Sequence, residues 1–173
     1  MENSDFLIGL AEIAIAIVGF SGLVSVFRSA NHAWRPDARF WAMITEASGT
    51  LVFAVLPLPF IQSGIAPEYT WSICSVLFAL FSATFCVFHV RELRRRVASG
   101  QYYKSQITTL FTVSNIIVVV VLLLNASGLV FGRSFTPYLA CLVAYTVGST
   151  LTFVRMIYIS LVSSDEVAGQ SGN

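Results

Sequence analysis

Five apolar runs of 22 to 27 residues, parted only by short polar connections, dominate the chain: Phe6–Phe27, Phe40–Ile65, Tyr69–Val90, Ile107–Phe131 and Phe135–Leu161. A bilayer core about 30 Å thick is crossed by about 20 apolar residues in a helix. Each run is long enough, and nothing outside them is long enough to fold as a soluble domain. The expectation is an all-α integral membrane protein, a bundle of five transmembrane helices. It forms a single membrane domain over residues 1–173 with a short polar tail at 162–173.

Composition agrees. Hydrophobic residues make up 56% of the 173 and charged residues 11%, against about 25% charged in a soluble domain. A small soluble fold leaves part of its surface wet and has nowhere to hide so much apolar area. The net charge of +1 gives no field for a polyanion, so nucleic acid is not an expected partner. The three cysteines, Cys74, Cys86 and Cys141, lie in apolar runs without a CxxC spacing. They read as buried small hydrophobes.

The first run follows an acidic leader, Met-Glu-Asn-Ser-Asp, and exceeds a signal peptide's apolar core. It is expected to be a retained span. Basic residues set orientation. Arg28, Arg35 and Arg39 follow span one, and Arg91, Arg94, Arg95, Arg96 and Lys104 follow span three. The remaining two loops hold only Arg133. Placing both rich loops inside puts the N-terminus outside and the C-terminus inside, which an odd number of spans permits. The run Arg91–Arg96 reads first as this topology signal. Together with Lys104 it is also a candidate surface for anionic lipid headgroups.

Polar residues within the spans carry the functional expectations, because charge in hydrocarbon is costly and usually turns inward to a partner. At helical rise, Glu46 and Arg155 each lie six residues from the expected inner end of their spans, with Asn115 in the same layer. They are candidates for an ion pair or gate, unless Arg155 snorkels to the headgroups. Glu12 and Asn125 match in the outer layer and are candidates for a proton or cation site. Pro57 and Pro59 predict a bend or break at Leu56–Phe60. Either span two ends there or a broken helix lines a site.

Every span also shows a small or polar stripe at helical spacing, expected to face inward. Around Glu12 it is Gly9, Ala16, Gly19 and Gly22. Around Glu46 it is Ala42, Gly49 and Thr50, and before Arg155 it is Cys141, Ala144, Gly148 and Thr152. Span three shows Ser75, Ala79, Ser82, Cys86 and His89, and span four Ser114, Val121, Asn125 and Gly128. Trp34, Trp41, Trp71, Tyr69, Tyr102, Tyr103 and Tyr138 are expected near the interfaces.

No GxGxxG, GxxxxGK, HExxH or GxSxG motif occurs. Cys86 and His89 are too few to close a metal site. The expectation is therefore a non-enzyme without cofactor or metal. The segment Leu10–Gly22, LAEIAIAIVGFSG, resembles the opening helix of small bacterial membrane proteins. That resemblance covers one span and implies no activity. The expected location is a cell membrane, crossed several times, with the bacterial inner membrane first among the possibilities. Two functions remain open: an oligomeric ion or proton channel or transporter-like bundle, or a non-catalytic membrane partner serving assembly, sensing or effect. The expected partners are the lipid bilayer and either further copies of the chain or another membrane protein.

Overall fold

A computed structural model describes the backbone over residues 2–29, 38–98 and 106–170. The helices are α1 (Glu2–Ser29), α2 (Ala38–Val55), α3 (Pro57–Gln62), α4 (Pro67–Ala98), α5 (Gln106–Ser127) and α6 (Phe135–Gln170). Among the described residues there is no strand. Five segments are long and apolar enough to cross a bilayer: Ser4–Leu23, Phe40–Gln62, Pro67–Glu92, Thr109–Ser127 and Phe135–Tyr158. The second takes in both α2 and α3. The five spans expected from sequence are therefore present, although α4 and α6 run on well past their apolar parts. The segment expected as a polar tail is helical through Gln170.

The surface is inverted relative to a soluble protein. Leu, Ile, Val and Phe are exposed along every long helix, among them Ile15, Phe20, Leu80, Phe88, Ile117 and Leu151. The buried set includes Ser21, Glu46, Thr50, Ser75, Ser82, Asn115, Asn125 and Ser149. Water would not tolerate so large an apolar surface, and hydrocarbon would not tolerate those polar groups outside. Most of the hydroxyls are satisfied locally. Ser21, Thr45, Thr50, Thr84, Thr146, Thr150 and Thr152 each donate to the carbonyl four residues back. This is how helices carry serine and threonine inside a membrane.

Helix α1 packs on α2 and α6, α2 packs on α6, and α4 pairs with α5. An aromatic column binds the middle of the bundle. Phe53 stacks on Phe78 at 4.6 Å between centroids. Trp71 lies 5.1 Å from Phe135 and 5.7 Å from Tyr138, and Phe78 meets Tyr145 edge-on at 5.1 Å. Trp71 and Tyr138, expected near an interface, lie within five residues of the start of their spans and are buried in this core. Trp41 and Tyr69 are exposed. Trp34, Tyr102 and Tyr103 lie outside the described residues.

Candidate functional site

The proline pair interrupts span two at one residue. α2 stops at Val55, Leu56 is a turn, and α3 restarts at Pro57. Pro57 has no N–H, so the carbonyl four residues earlier, Phe53, loses its helical donor. The Tyr138 hydroxyl donates to that oxygen at 2.6 Å. The tyrosine thus arrives from α6 to fill a gap made by the proline. Pro59 lies one turn-step further on, within α3.

Below this break the interior becomes polar. Glu46 is 3% exposed, deep between α2 and its neighbours. Asn115 on α5 lies beside the Glu46 side chain. The Asn115 amide donates to the Phe111 carbonyl at 3.1 Å, and its Oδ1 accepts from the Tyr145 hydroxyl at 2.8 Å. Asn115 is thus held in one orientation by α5 and α6. The Glu46 carboxyl rests against Gly148, where a Cβ would stand 3.5 Å from Oε2. Glu46 Oε2 is buried without a hydrogen-bond partner. Ser82 on α4 lies beside the Tyr145 hydroxyl, and its Oγ has no partner of hydrogen-bonding geometry either.

The expected Glu46–Arg155 pair is not formed. The Glu46 carboxyl sits at the level of Gly148, seven residues before Arg155, a rise of about 10 Å. Reckoning depth from Leu161 as the inner end of span five misplaces Arg155, because α6 continues to Gln170. Arg155 is half-buried two turns away from the carboxyl. Asn115 does join Glu46, whereas Tyr145 and Ser82 were not singled out together with it. Ser82 had been noted on a stripe. Tyr145 gives little signal beyond being an aromatic among apolar residues.

Glu12 and Asn125 are not brought together. Glu12 is exposed on α1. Asn125 is buried and fully engaged elsewhere: Nδ2 donates to Ser75 Oγ at 2.9 Å and to the Ser134 carbonyl at 3.1 Å, and Oδ1 accepts from the Ser134 N–H at 3.0 Å. Asn125 is a latch closing the α5–α6 turn. The same turn is finished by Ser72, which donates to the Ala126 carbonyl at 2.8 Å, and by Gly128, whose N–H meets the Asn125 carbonyl at 3.2 Å. Gly128 has φ +75°, the left-handed position at which helices commonly end.

The stripe of Gly9, Ala16, Gly19 and Gly22 also does not point inward. α1 buries Leu7, Ala11, Ala14, Ile17 and Ser21, which lie on the other side of the helix. No atom lies within 4 Å of a Cβ placed at Gly9, Gly19 or Gly22. Of the candidate lipid contacts, Arg91, Arg94 and Arg95 are exposed along the end of α4. Lys104 lies outside the described residues, as does the side chain of Arg96. His89 packs at 5.1 Å from the Phe111 ring. Among the described residues no three His, Cys, Asp or Glu side chains gather as a metal-binding group.

The fold is that of a multi-pass helical membrane protein. Comparison with protein-family models, curated proteins and solved structures gives no match to the chain.

Proposed function

We propose that this protein moves protons or small cations across a cell membrane as an oligomer of identical chains, with its N-terminus outside and its C-terminus inside. The observation that carries this reading is Glu46: a carboxyl buried in a membrane bundle, with one oxygen left without a partner. Ionisable groups inside spans are costly, and they recur where ions or protons are handled. Glu12 supports the oligomer. It lies near the middle of the span Ser4–Leu23, on the side of α1 opposite the buried residues. In hydrocarbon that carboxyl needs cover. Gly9, Ala16 and Gly19 beside it give a face that another helix can approach closely. The arginine-rich segments support the orientation.

The test is flux into vesicles reconstituted with purified protein and loaded with a pH-sensitive or cation-sensitive dye. Wild type is expected to pass protons or sodium down an imposed gradient, with loss of flux in Glu46→Gln. Absence of flux in wild type under both gradients removes the reading.

A second reading, a non-catalytic membrane partner, is favoured by one feature. The outward α1 face is suited to any close-packing helix and not only to a copy of itself. Recovery of a stoichiometric complex with a different membrane protein, in place of the homo-oligomer, supports it.

A further inference from the structure

We propose that the proton-binding group of this protein is the Glu46 carboxyl, taking the proton on Oε2, with Asn115, Tyr145 and Ser82 as the residues that position it. The inference deepens the transport reading above and rests on it for its use in the cell.

The geometry separates the two carboxylate oxygens. The carboxyl has Asn115 beside it, itself locked by Phe111 and Tyr145. Both oxygens lie near Gly148, at 3.5 and 3.7 Å from the position of an added Cβ, and of the two it is Oε2 that is buried without a hydrogen-bond partner. Buried polar atoms are paired almost without exception, so an unpaired carboxylate oxygen marks a place where something small comes and goes. The chemistry present favours a proton. A hard metal ion takes about six oxygen ligands or more. Here Asn115 Oδ1 is occupied, and the polar atoms still open are Oε2 and Ser82 Oγ. A proton needs a single oxygen. On binding, one O–H bond forms at Oε2 and the carboxylate becomes neutral. On release the bond breaks and the proton returns to water.

The groups around it are few. α1 turns Ile17 and Ser21 toward α2, and α3 carries no ionisable residue. α5 supplies Asn115. α4 supplies Ser82 and Cys86, and α6 supplies Tyr145 and Cys141, the cysteines lying within electrostatic reach of Tyr145. Arg155 stands two turns beyond Gly148, and Glu12 is on the far face of α1. No cation among these shares the site, so charge at Glu46 is left to the proton alone.

The experiment is an infrared titration of the full-length protein in vesicles of phosphatidylcholine and phosphatidylglycerol, following the carbonyl stretch of protonated carboxyl groups. The chain carries nine Asp and Glu residues, so the Glu46 component is isolated as the wild-type spectrum minus that of Glu46→Gln. The expected result is a single pH-dependent carbonyl band in that difference, retained when both spectra are taken in a Glu12→Gln background. In Tyr145→Phe the band persists but its midpoint moves by about one pH unit, the size of one altered hydrogen bond. Tyr145→Phe also serves if Glu46→Gln fails to fold. A carbonyl titration identical in wild type and Glu46→Gln, or an unmoved midpoint in Tyr145→Phe, overturns the assignment. Dye-detected flux in the same vesicles separates the two claims. Titration without flux keeps the site and removes transport, and flux without titration of Glu46 does the reverse.

Discussion

At Phe53 a single carbonyl shows how this bundle handles its polar groups. Proline removed its helical donor and a tyrosine hydroxyl replaced it. Tyr138→Phe keeps the ring in its aromatic column but strands that oxygen, at a cost of about 1–3 kcal/mol. A lowered midpoint of thermal unfolding in detergent checks this. Pro57→Ala restores the missing N–H, so the loss from Tyr138→Phe should shrink in that background, and a double-mutant cycle measures the coupling. Gly49 is constrained differently. An added Cβ would stand 2.5 Å from Phe81 Cε1, so Gly49→Ala must displace the ring. A destabilisation of about 1–3 kcal/mol is expected, readable in the same assay. Some of this was legible beforehand. Two prolines within a span announced the break, and a glutamate in an apolar run announced a buried acid. The identity of its partner was not legible. Pairing by depth depends on where each helix leaves the membrane, and a helix that outlasts its apolar part hides that point.

For whole helices, the least readable feature was the rotation of α1. Its sequence offers two small-residue faces, Ala11–Ala14–Ser21 and Gly9–Ala16–Gly19, at the same helical spacing. The first is buried. Ile17 packs with Met43 and Ala47 of α2, and the Ser21 hydroxyl meets Met43 Sδ at 3.9 Å, contacts that link this side of α1 to another helix. The exposed face makes an element-level prediction. Ala16→Cys, in a chain whose three native cysteines are replaced by serine or alanine, should give a disulfide-linked dimer in oxidised membranes. A cysteine at buried Ala14 should not. Equal crosslinking at both positions argues against the α1 face as a contact. The end of α5 makes another. Asn125→Ala removes three hydrogen bonds that fasten α5 to α4 and to the start of α6. Interhelical hydrogen bonds in membranes average about 0.6 kcal/mol each, so a loss of about 2 kcal/mol is expected. Protease cleavage in the α5–α6 turn should rise with it.

Across the whole molecule, the number of spans could be read directly from run length and scarcity of charge, which is the most robust signal a membrane imposes. Orientation is a separate matter, resting on arginine placement. A cysteine introduced before Phe6 should react with an impermeant maleimide added outside intact cells, and one near Arg94 only after permeabilisation. The exposed Arg91, Arg94 and Arg95 should also hold the α4 end to anionic lipid. Changing all three to glutamine is expected to weaken binding of phosphatidylglycerol by about 1 kcal/mol per charge.

The bond between Tyr138 and Phe53 joins positions 85 residues apart, and that separation bears on biogenesis. The second span leaves the ribosome long before the fifth, carrying a carbonyl that nothing nearby can serve. Until the last helix is inserted, that oxygen lacks the donor it has in the finished fold. Span two is therefore expected to gain its last increment of stability only when synthesis is nearly complete, and nascent chains halted before Tyr138 should be more easily extracted from the membrane than finished ones.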